Sequence, residues 1–142
     1  MLIEQAKNQR ERIVAMLSAE KLPVEDLPEI LENFFIAIEN GQSIAVIGLE
    51  IYNDYGLLRS LVVLPEHRGK GIAEKLIERL KSLAALRSLK EIYLLTETAP
   101  EYFARQGFQK IARNEVPDEV KQSSEFSHVC PVSAIVMKKT IN

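Results

Sequence analysis

The chain has 142 residues, a formal net charge of −2, 46% apolar residues and 27% charged residues. This length predicts one domain over residues 1–142, which can bury about 68–70% of its unfolded surface without a disulfide or a metal. The small net charge excludes a global basic field for nucleic acid, and no apolar run approaches the roughly 20 residues of a membrane span. A single cysteine, Cys130, excludes an internal disulfide and indicates a reducing compartment, which predicts a cytoplasmic protein.

The first half of the chain predicts a helix and a group of antiparallel strands. Apolar residues recur at helical spacing between Asn8 and Ala19. The dipeptide Asn40-Gly41 is a strong hairpin signal, and it joins two runs that are rich in β-branched and aromatic residues. A third run of this kind, Gly56–Leu64, ends before Pro65, because proline cannot donate a hydrogen bond to a neighbouring strand. The predicted strands are Leu2–Ala6, Asn33–Glu39, Gln42–Tyr52 and Gly56–Leu64.

The second half predicts three more strands and three helices. An apolar stripe that begins at Ile72 predicts a helix over residues 69–85. The run Glu91–Thr96 is too short for a helix and predicts a buried strand. Pro100 and Gly107 mark the first turn and the C-terminal cap of a short helix. A strand over 108–112, a helix over 117–126 and a strand over 133–140 complete the order, which predicts an α+β or mixed α/β fold.

The segment RGKGIA, residues 68–73, joins a predicted strand to a predicted helix. The first amides of a helix have no internal partner, and glycines let an anion approach where a Cβ atom would collide. Arg68 and Lys70 add positive charge, so the segment predicts a diphosphate site. A P-loop would need Ser or Thr after Lys70, and a dinucleotide fingerprint would need three glycines. A solvated basic helix start remains an alternative, because short glycine patterns are weak signals.

The residues around this segment resemble a known family. LVVLPEHRGKGIAEKLI is similar to the acetyl-coenzyme A signature of GNAT-family N-acetyltransferases, Arg/Gln-x-x-Gly-x-Gly/Ala, which Arg68, Gly71 and Ala73 match. TETAPEYFARQGF, residues 96–108, resembles the element that follows this signature in the family. The resemblance implies the family's fold, a twisted, mixed and mostly antiparallel sheet of six or seven strands flanked by about four helices.

The resemblance also implies how acetyl-CoA, as the co-substrate, would bind without a metal. In the family, the diphosphate lies on backbone amides of the signature. Carried over to this sequence, these are the amides of Arg68, Gly69, Lys70, Gly71, Ile72 and Ala73. The pantetheine arm resembles an added strand that pairs with the backbone of the preceding strand, here at Leu61 and Val63.

The resemblance is less complete at the catalytic positions. Many members carry a tyrosine general acid in Phe-Tyr-x-x-x-Gly-Phe, and this position is Phe103 here, which cannot donate a proton. The adjacent Tyr102 points about 100° away on a helix, so it is a core residue first and an acid only as a hypothesis. Thr96 stands where many relatives carry Asn and is a candidate to bond the cofactor arm or a water. Arg59 is a candidate to pair a substrate carboxylate, with a surface-strand arginine as the alternative.

Together these resemblances predict an acetyl-CoA-dependent N-acetyltransferase that acts on the amine of a small molecule. The stretch from Glu115 to Lys139 resembles a bacterial branch associated with arsenic resistance, which implies an amino-acid-like acceptor. Cys130 raises the hypothesis of a thiolate on an arsenical, although a buried structural cysteine is the commoner case. The alternative function is a non-catalytic acyl-CoA-binding or sensing module, which Phe103 favours. No nucleic-acid or membrane partner is expected. A homodimer would form by pairing of exposed sheet edges from two copies of the chain.

Overall fold

A computed structural model of the chain describes residues 1–6, 8–123, 126 and 134–141. Strands and helices follow one another along these residues in the predicted order, and short 3-10 turns lie at Pro65–His67 and Arg113–Glu115. The strands are β1 Leu2–Gln5, β2 Phe34–Glu39, β3 Gln42–Tyr52, β4 Tyr55–Val63, β5 Glu91–Thr96, β6 Gln109–Ile111 and β7 Ile135–Thr140. The helices are α1 Arg10–Ala19, α2 Ile72–Leu86, α3 Pro100–Arg105 and α4 Asp118–Lys121.

The strands form one seven-stranded sheet in the order β1-β2-β3-β4-β5-β7-β6. The pairs β1–β2, β2–β3, β5–β7 and β6–β7 are antiparallel, and β4 is parallel to β5 where Tyr55–Leu57 meets Glu91–Tyr93. Asn40 and Gly41 have φ angles of 51° and 77°, the positive values that a two-residue type I′ hairpin needs. The predicted fold class, a mixed and mostly antiparallel sheet with about four helices, is confirmed in the described part of the chain.

The chain divides into two compact units. Unit 1 consists of Met1–Leu49 and Arg59–Ser82, and unit 2 consists of Glu50–Leu58 and Leu83–Asn142. The single domain expected over the whole sequence stays a prediction. Among the residues that the structure describes, no helix has the length and apolar character needed to cross a membrane.

The core of unit 1 includes α1 and the connector, residues 20–33, which leads from α1 to β2. Ile13 and Leu17 lie one helical turn apart on α1 and are completely buried. The Arg10 guanidinium donates to the carbonyl of Leu27 at 3.4 Å and so holds the middle of the connector. The connector is therefore a packed part of unit 1 although it has no regular secondary structure. Its core residues are Leu27 and Leu31, which pack with Ala6, Met16, Phe34, Ile36, Val46 and Val62.

In unit 2, the short helix α3 ends at the predicted glycine cap. Gly107 has a φ of 95°, and its amide donates to the carbonyl of Ala104 at 3.0 Å. The amide of Phe108 donates to the carbonyl of Phe103 at 3.0 Å, and the two rings meet edge to face at 5.8 Å. These two bonds and the ring contact form a Schellman motif, so the predicted cap is confirmed. One buried apolar cluster of this unit contains Leu57, Tyr93, Val116, Val120 and Val136.

Two predicted helices have different bounds in the structure. Helix α2 begins at Ile72 instead of Gly69, because Gly69 and Gly71 have φ angles of 78° and 77°, which a right-handed helix excludes. The helix predicted over residues 117–126 is the single turn α4, which ends at Lys121. Residues 124 and 125 lie outside the described residues.

A partly buried cluster in unit 2 joins Glu91 and Tyr93 of β5 to Lys138 of β7. The Tyr93 hydroxyl donates to Glu91 Oε1 at 2.7 Å, and Lys138 Nζ lies 3.0 Å from Glu91 Oε2. Burial acts to raise the pKa of Glu91, but the hydrogen bonds from Tyr93 and Lys138 and the charges of Lys138 and Lys90 lower it below the usual 4.5. Burial, together with the bond to Glu91, raises the pKa of Tyr93 above its usual 10.0.

These shifts predict how Glu91→Gln changes the acid stability of the protein. Because the carboxyl of Glu91 has a lower pKa in the folded state, its ionisation stabilises the fold above pH 4.5, and this contribution disappears as the pH falls through the folded pKa. We expect the free energy of unfolding of Glu91→Gln to fall less steeply than that of the wild type below this pH. Urea unfolding between neutral and acidic pH measures both slopes, and identical slopes would contradict the prediction.

Candidate active site

The chain between β4 and α2 forms an open turn with two left-handed glycines. Gly69 and Gly71 have φ angles of 78° and 77°, where an L side chain is strained. A Cβ atom placed on Gly69 would meet no atom within 4 Å, and one on Gly71 would meet only Glu74 Oε1, at 3.8 Å. The space beside both glycines is therefore open. The first helical bond of α2 runs from the amide of Lys75 to the carbonyl of Gly71 at 3.3 Å, which makes Gly71 the N-cap.

The amides of this turn are the proposed diphosphate ligands. Within the described part of the chain, the amides of residues 69–73 donate no hydrogen bond. The amide of Arg68 differs, because it donates to the carbonyl of Pro65 at 3.3 Å inside the 3-10 turn. The amide of Arg68 therefore has a partner within the chain, and its contact with the diphosphate stays a prediction. Five amides remain, at the positive end of a fifteen-residue helix.

The side chain of Arg68 ties three parts of unit 1 together. Its Nε donates to the carbonyl of Val63 at 2.9 Å, and its guanidinium also pairs with the carboxylate of Glu20 at the end of α1. About half of the Arg68 side chain is exposed. A diphosphate that recruits this guanidinium would compete with Glu20, whereas Lys70 is exposed and has no partner among the described residues.

Strand β4 contains an irregular step just before its last residues. Ser60 has a φ of 62° inside the strand and is 9% exposed. The residue before it, Arg59, is 2% exposed, and its terminal nitrogens donate to Asp26 Oδ2 at 2.8 Å and Oδ1 at 2.9 Å. The alternative of a surface-strand arginine is wrong, because this guanidinium is buried. Its role toward a substrate carboxylate stays a prediction, and any such carboxylate would have to share it with Asp26.

Leu61 and Val63, the residues expected to pair with pantetheine, follow this step. Both are half-buried, whereas the side chain of Val62 between them belongs to the core of unit 1. The carbonyl of Val63 already accepts the bond from Arg68 Nε and has a second lone pair for a further donor. Leu61, Val63 and the amides of residues 69–73 all belong to unit 1.

The two proposed catalytic residues belong to unit 2. Thr96 is 8% exposed at the end of β5, and its Oγ1 accepts a bond from the amide of Ala99 at 3.1 Å. This bond fixes the turn that leads into α3 and leaves the hydroxyl proton of Thr96 available as a donor. Tyr102 is half-buried, with its ring edge-on to Phe103 at 5.4 Å. Phe103 is the more buried of the two, with 7% of its surface exposed.

Unit 2 also contains a cavity that the sequence did not indicate. It has a volume of about 450 Å³ and is lined by Arg113, Asn114, Lys121 and Phe126. The Arg113 guanidinium lies 5.5 Å from the centre of the Phe126 ring, a cation–π distance. Cys130, for which an arsenical contact was hypothesised, lies outside the described residues.

Comparison with known proteins establishes the class of this chain. A family model described as an acetyltransferase (GNAT) domain matches residues 31–110, so the chain belongs to the GNAT acetyltransferase domain family. An uncharacterized N-acetyltransferase of Chlorobaculum tepidum is 31% identical over 101 residues, which are 70% of this chain and 64% of the relative. An amino-acid acetyltransferase of Mycobacterium tuberculosis is 35% identical over 81 residues, 56% of this chain and 42% of that relative. The chain therefore spans less than two thirds of the curated relatives that it matches.

Solved structures show the same fold at low identity. N-acetylglutamate synthase of Neisseria gonorrhoeae, solved with coenzyme A and N-acetyl-glutamate, has a TM-score of 0.84 at 19% identity. The match covers 99% of this chain and 35% of that one. A GNAT-family acetyltransferase of Staphylococcus aureus has a TM-score of 0.78 at 21% identity, and the match covers 99% of both chains.

Sequence reasoning missed the partners of the two arginines, Glu20 and Asp26. Both acids lie in or beside the connector, 48 and 33 residues from the arginines that they bind. Neither the periodicity nor the motifs of the sequence relate residues at such distances. The strong turn signal of the two prolines around Asp26, Pro23 and Pro28, marks the connector but does not reveal its partner on β4.

Proposed function

We propose that this chain is an acetyl-CoA-dependent N-acetyltransferase that transfers the acetyl group to the amine of a small molecule. The observation that carries the proposal is a row of amides at residues 69–73 that have no hydrogen-bond partner among the described residues, beside two glycines that leave open space. Main-chain amides at a helix N-terminus are suited to a diphosphate, and the two glycines let it approach the backbone closely. Membership of the GNAT family supports acetyl-CoA as its carrier.

The proposed reaction places defined demands on the chain. An alkylammonium has a pKa of about 10.4, so a proton must leave before the nitrogen attacks the thioester carbonyl. The C–N bond then forms, the nitrogen releases a further proton, the C–S bond breaks, and the thiolate of coenzyme A takes up a proton. Backbone N–H groups of β4 near Val63 are the proposed donors to the carbonyl oxygen. We assign the proton for the thiolate to Tyr102, and contact with the cofactor arm or a water to Thr96.

The assignment of Tyr102 predicts a large loss of activity in Tyr102→Phe. Removing a general acid lowers the rate by about 10²–10⁴-fold when the leaving group needs one. Release of free thiol from acetyl-CoA measures the rate, and circular dichroism checks the fold. Tyr55→Phe, another half-buried tyrosine of unit 2, is the matched control and should keep full activity. Full activity in Tyr102→Phe would end the assignment and leave the thiolate to depart without a dedicated acid.

The proposed acceptor is an amino acid or an amino-acid-like toxin, with a link to arsenic resistance. The amino-acid acetyltransferases among the relatives support the first part, and the resemblance of the C-terminal stretch supports the second. A panel of amino acids, phosphinothricin and simple alkylamines, mixed with acetyl-CoA, tests the first part through thiol release. Turnover of alkylamines alone would contradict an amino-acid-like acceptor. Cytoplasmic location and a homodimer remain predictions.

A second candidate function is a non-catalytic module that binds or senses acyl-CoA. Phe103 favours it, because this residue occupies the position of the tyrosine acid in many members of the family. The same panel separates the two functions. An enzyme releases thiol with at least one amine, whereas a sensor is stabilised by acetyl-CoA in thermal unfolding and releases none. Stabilisation by ATP or NAD, but not by acetyl-CoA, would contradict both functions.

A further inference from the structure

The pair formed by Arg59 and Asp26 lies deep in unit 1, next to the backbone that the proposed function uses. The Arg59 side chain has no exposed surface, and that of Asp26 is 7% exposed. Two parallel N–H···O bonds of 2.8 and 2.9 Å join the guanidinium to both carboxylate oxygens. A bidentate pair of this kind fixes the orientation of both partners more firmly than a single contact would.

The third nitrogen of the guanidinium, Nε, forms a hydrogen bond with the next residue of the strand. Arg59 Nε donates to Ser60 Oγ at 3.0 Å, and Ser60 is the residue with the left-handed φ of 62°. A non-glycine residue in this region costs free energy and persists only where its surroundings over-determine it. The bond from Arg59 supplies such a constraint, because it fixes the serine side chain relative to a guanidinium that cannot itself rotate.

Asp26 of this pair lies in the connector, which is itself held in place by other contacts. Leu27, the neighbour of Asp26, is buried in the core, and its carbonyl accepts a bond from the Arg10 guanidinium at 3.4 Å. Asp26 is therefore held at a fixed position from which it directs Arg59. Arg10, Asp26, Arg59 and Ser60 all belong to unit 1.

A residue with a left-handed φ inside a strand determines the direction of the strand after it and the face on which the later side chains lie. A left-handed φ departs from the extended conformation of a strand, so the strand changes direction there and the facing of the later residues changes with it. The residues after Ser60 are Leu61, Val62 and Val63, of which only Val62 packs into the core. The conformation of Ser60 thus decides which backbone groups of Leu61 and Val63 face a ligand.

We propose that Arg59 and Asp26 are positioning residues that hold the irregular step at Ser60 and thereby orient the strand backbone that receives pantetheine. This proposal rests on the proposed function, since it concerns the same cofactor. It gives Arg59 a role through the main chain of β4 instead of direct contact with an acceptor. It also explains why the most buried ion pair among the described residues stands beside the strained residue of that strand.

The binding of two ligands, compared in variants of Arg59 and Asp26, distinguishes a positioning role of this pair from a merely structural role. Coenzyme A carries the diphosphate and pantetheine, whereas 3′-phospho-ADP carries the same nucleotide and diphosphate without pantetheine. In Asp26→Asn, which keeps the shape of the side chain, we expect the dissociation constant of coenzyme A to rise by about tenfold or more, and that of 3′-phospho-ADP to stay within about twofold. Arg59→Lys keeps the charge but loses the two parallel N–H donors of the guanidinium. It should therefore also weaken the binding of coenzyme A more than that of 3′-phospho-ADP.

A glycine at position 60 provides a rescue that a structural role would not give. Glycine adopts a φ of 62° without support, so Ser60→Gly combined with Asp26→Asn should recover part of the affinity for coenzyme A. Both dissociation constants are measured by calorimetry below the unfolding temperature of each variant. Equal weakening of the two ligands, or unchanged affinity in both Asp26→Asn and Arg59→Lys, would overturn the positioning role. Failure of the wild type to bind coenzyme A would overturn the proposed function itself.

Discussion

Gly71→Ala is expected to weaken the binding of coenzyme A by about 100-fold. A hydrogen bond to a charged group contributes about 1.5–3 kcal/mol, and a Cβ atom that displaces the diphosphate from two amides costs at least 3 kcal/mol, or about two factors of ten. The substitution has little effect on contacts within the protein, because the nearest atom to the new methyl group is Glu74 Oε1, at 3.8 Å. Isothermal titration calorimetry with coenzyme A measures the effect.

Gly41→Ala is the matched control for this prediction. Gly41 has the same φ of 77° and open space around its Cβ position, but it lies in the β2–β3 hairpin. Both variants should lose about 1–2 kcal/mol of stability, since alanine is strained in the left-handed region. Only Gly71→Ala should lose affinity for coenzyme A. Equal affinities in the two variants would show that the diphosphate does not approach Gly71.

Asp26→Ala is expected to lower the free energy of unfolding by about 3–5 kcal/mol. The substitution removes the carboxylate that accepts two N–H···O bonds from the buried guanidinium of Arg59, and breaking a buried pair on one side is strongly destabilising. Since single domains are stable by only about 5–15 kcal/mol, this loss is a large fraction of the total. Urea unfolding followed by circular dichroism measures it.

The double variant Asp26→Leu/Arg59→Met tests the cause of that loss. Replacing both charges with apolar side chains removes the buried charge of Arg59 together with that of Asp26, so the double variant should be more stable than Asp26→Ala. Glu78→Ala serves as the surface control, because Glu78 pairs with Lys81 at 2.8 Å but its side chain is 71% exposed. We expect little change there. A wild-type stability for Asp26→Ala would contradict the account of the buried pair.

Local signals in the sequence predict most of the fold. Strands β3 and β5 have the predicted bounds, Gln42–Tyr52 and Glu91–Thr96, because Asn40-Gly41 and the flanking polar residues limit them sharply. The start of α2 is predicted three residues too early. Helical periodicity continues back to the glycines, and only their left-handed backbone, which the sequence does not display, delays the helix to Ile72.

The candidate site is predicted only in part, because its supporting contacts are distant in sequence. The glycine signature can be read directly at residues 68–73, since a diphosphate site needs bare amides next to one another. The pairing of Arg59 with Asp26, and the left-handed Ser60 beside it, depend on how the connector packs. Tertiary packing decides such features, and a serine in a strand gives no warning of a positive φ.

The most direct test of the diphosphate site is a titration of the ¹⁵N-labelled protein with coenzyme A. Hydrogen bonds to phosphate should move the amide signals of residues 69–73 downfield in a saturable way, while the amide signal of Gly41, in the β2–β3 hairpin, should change little. Saturable binding that leaves the amides of residues 69–73 unmoved would contradict the account.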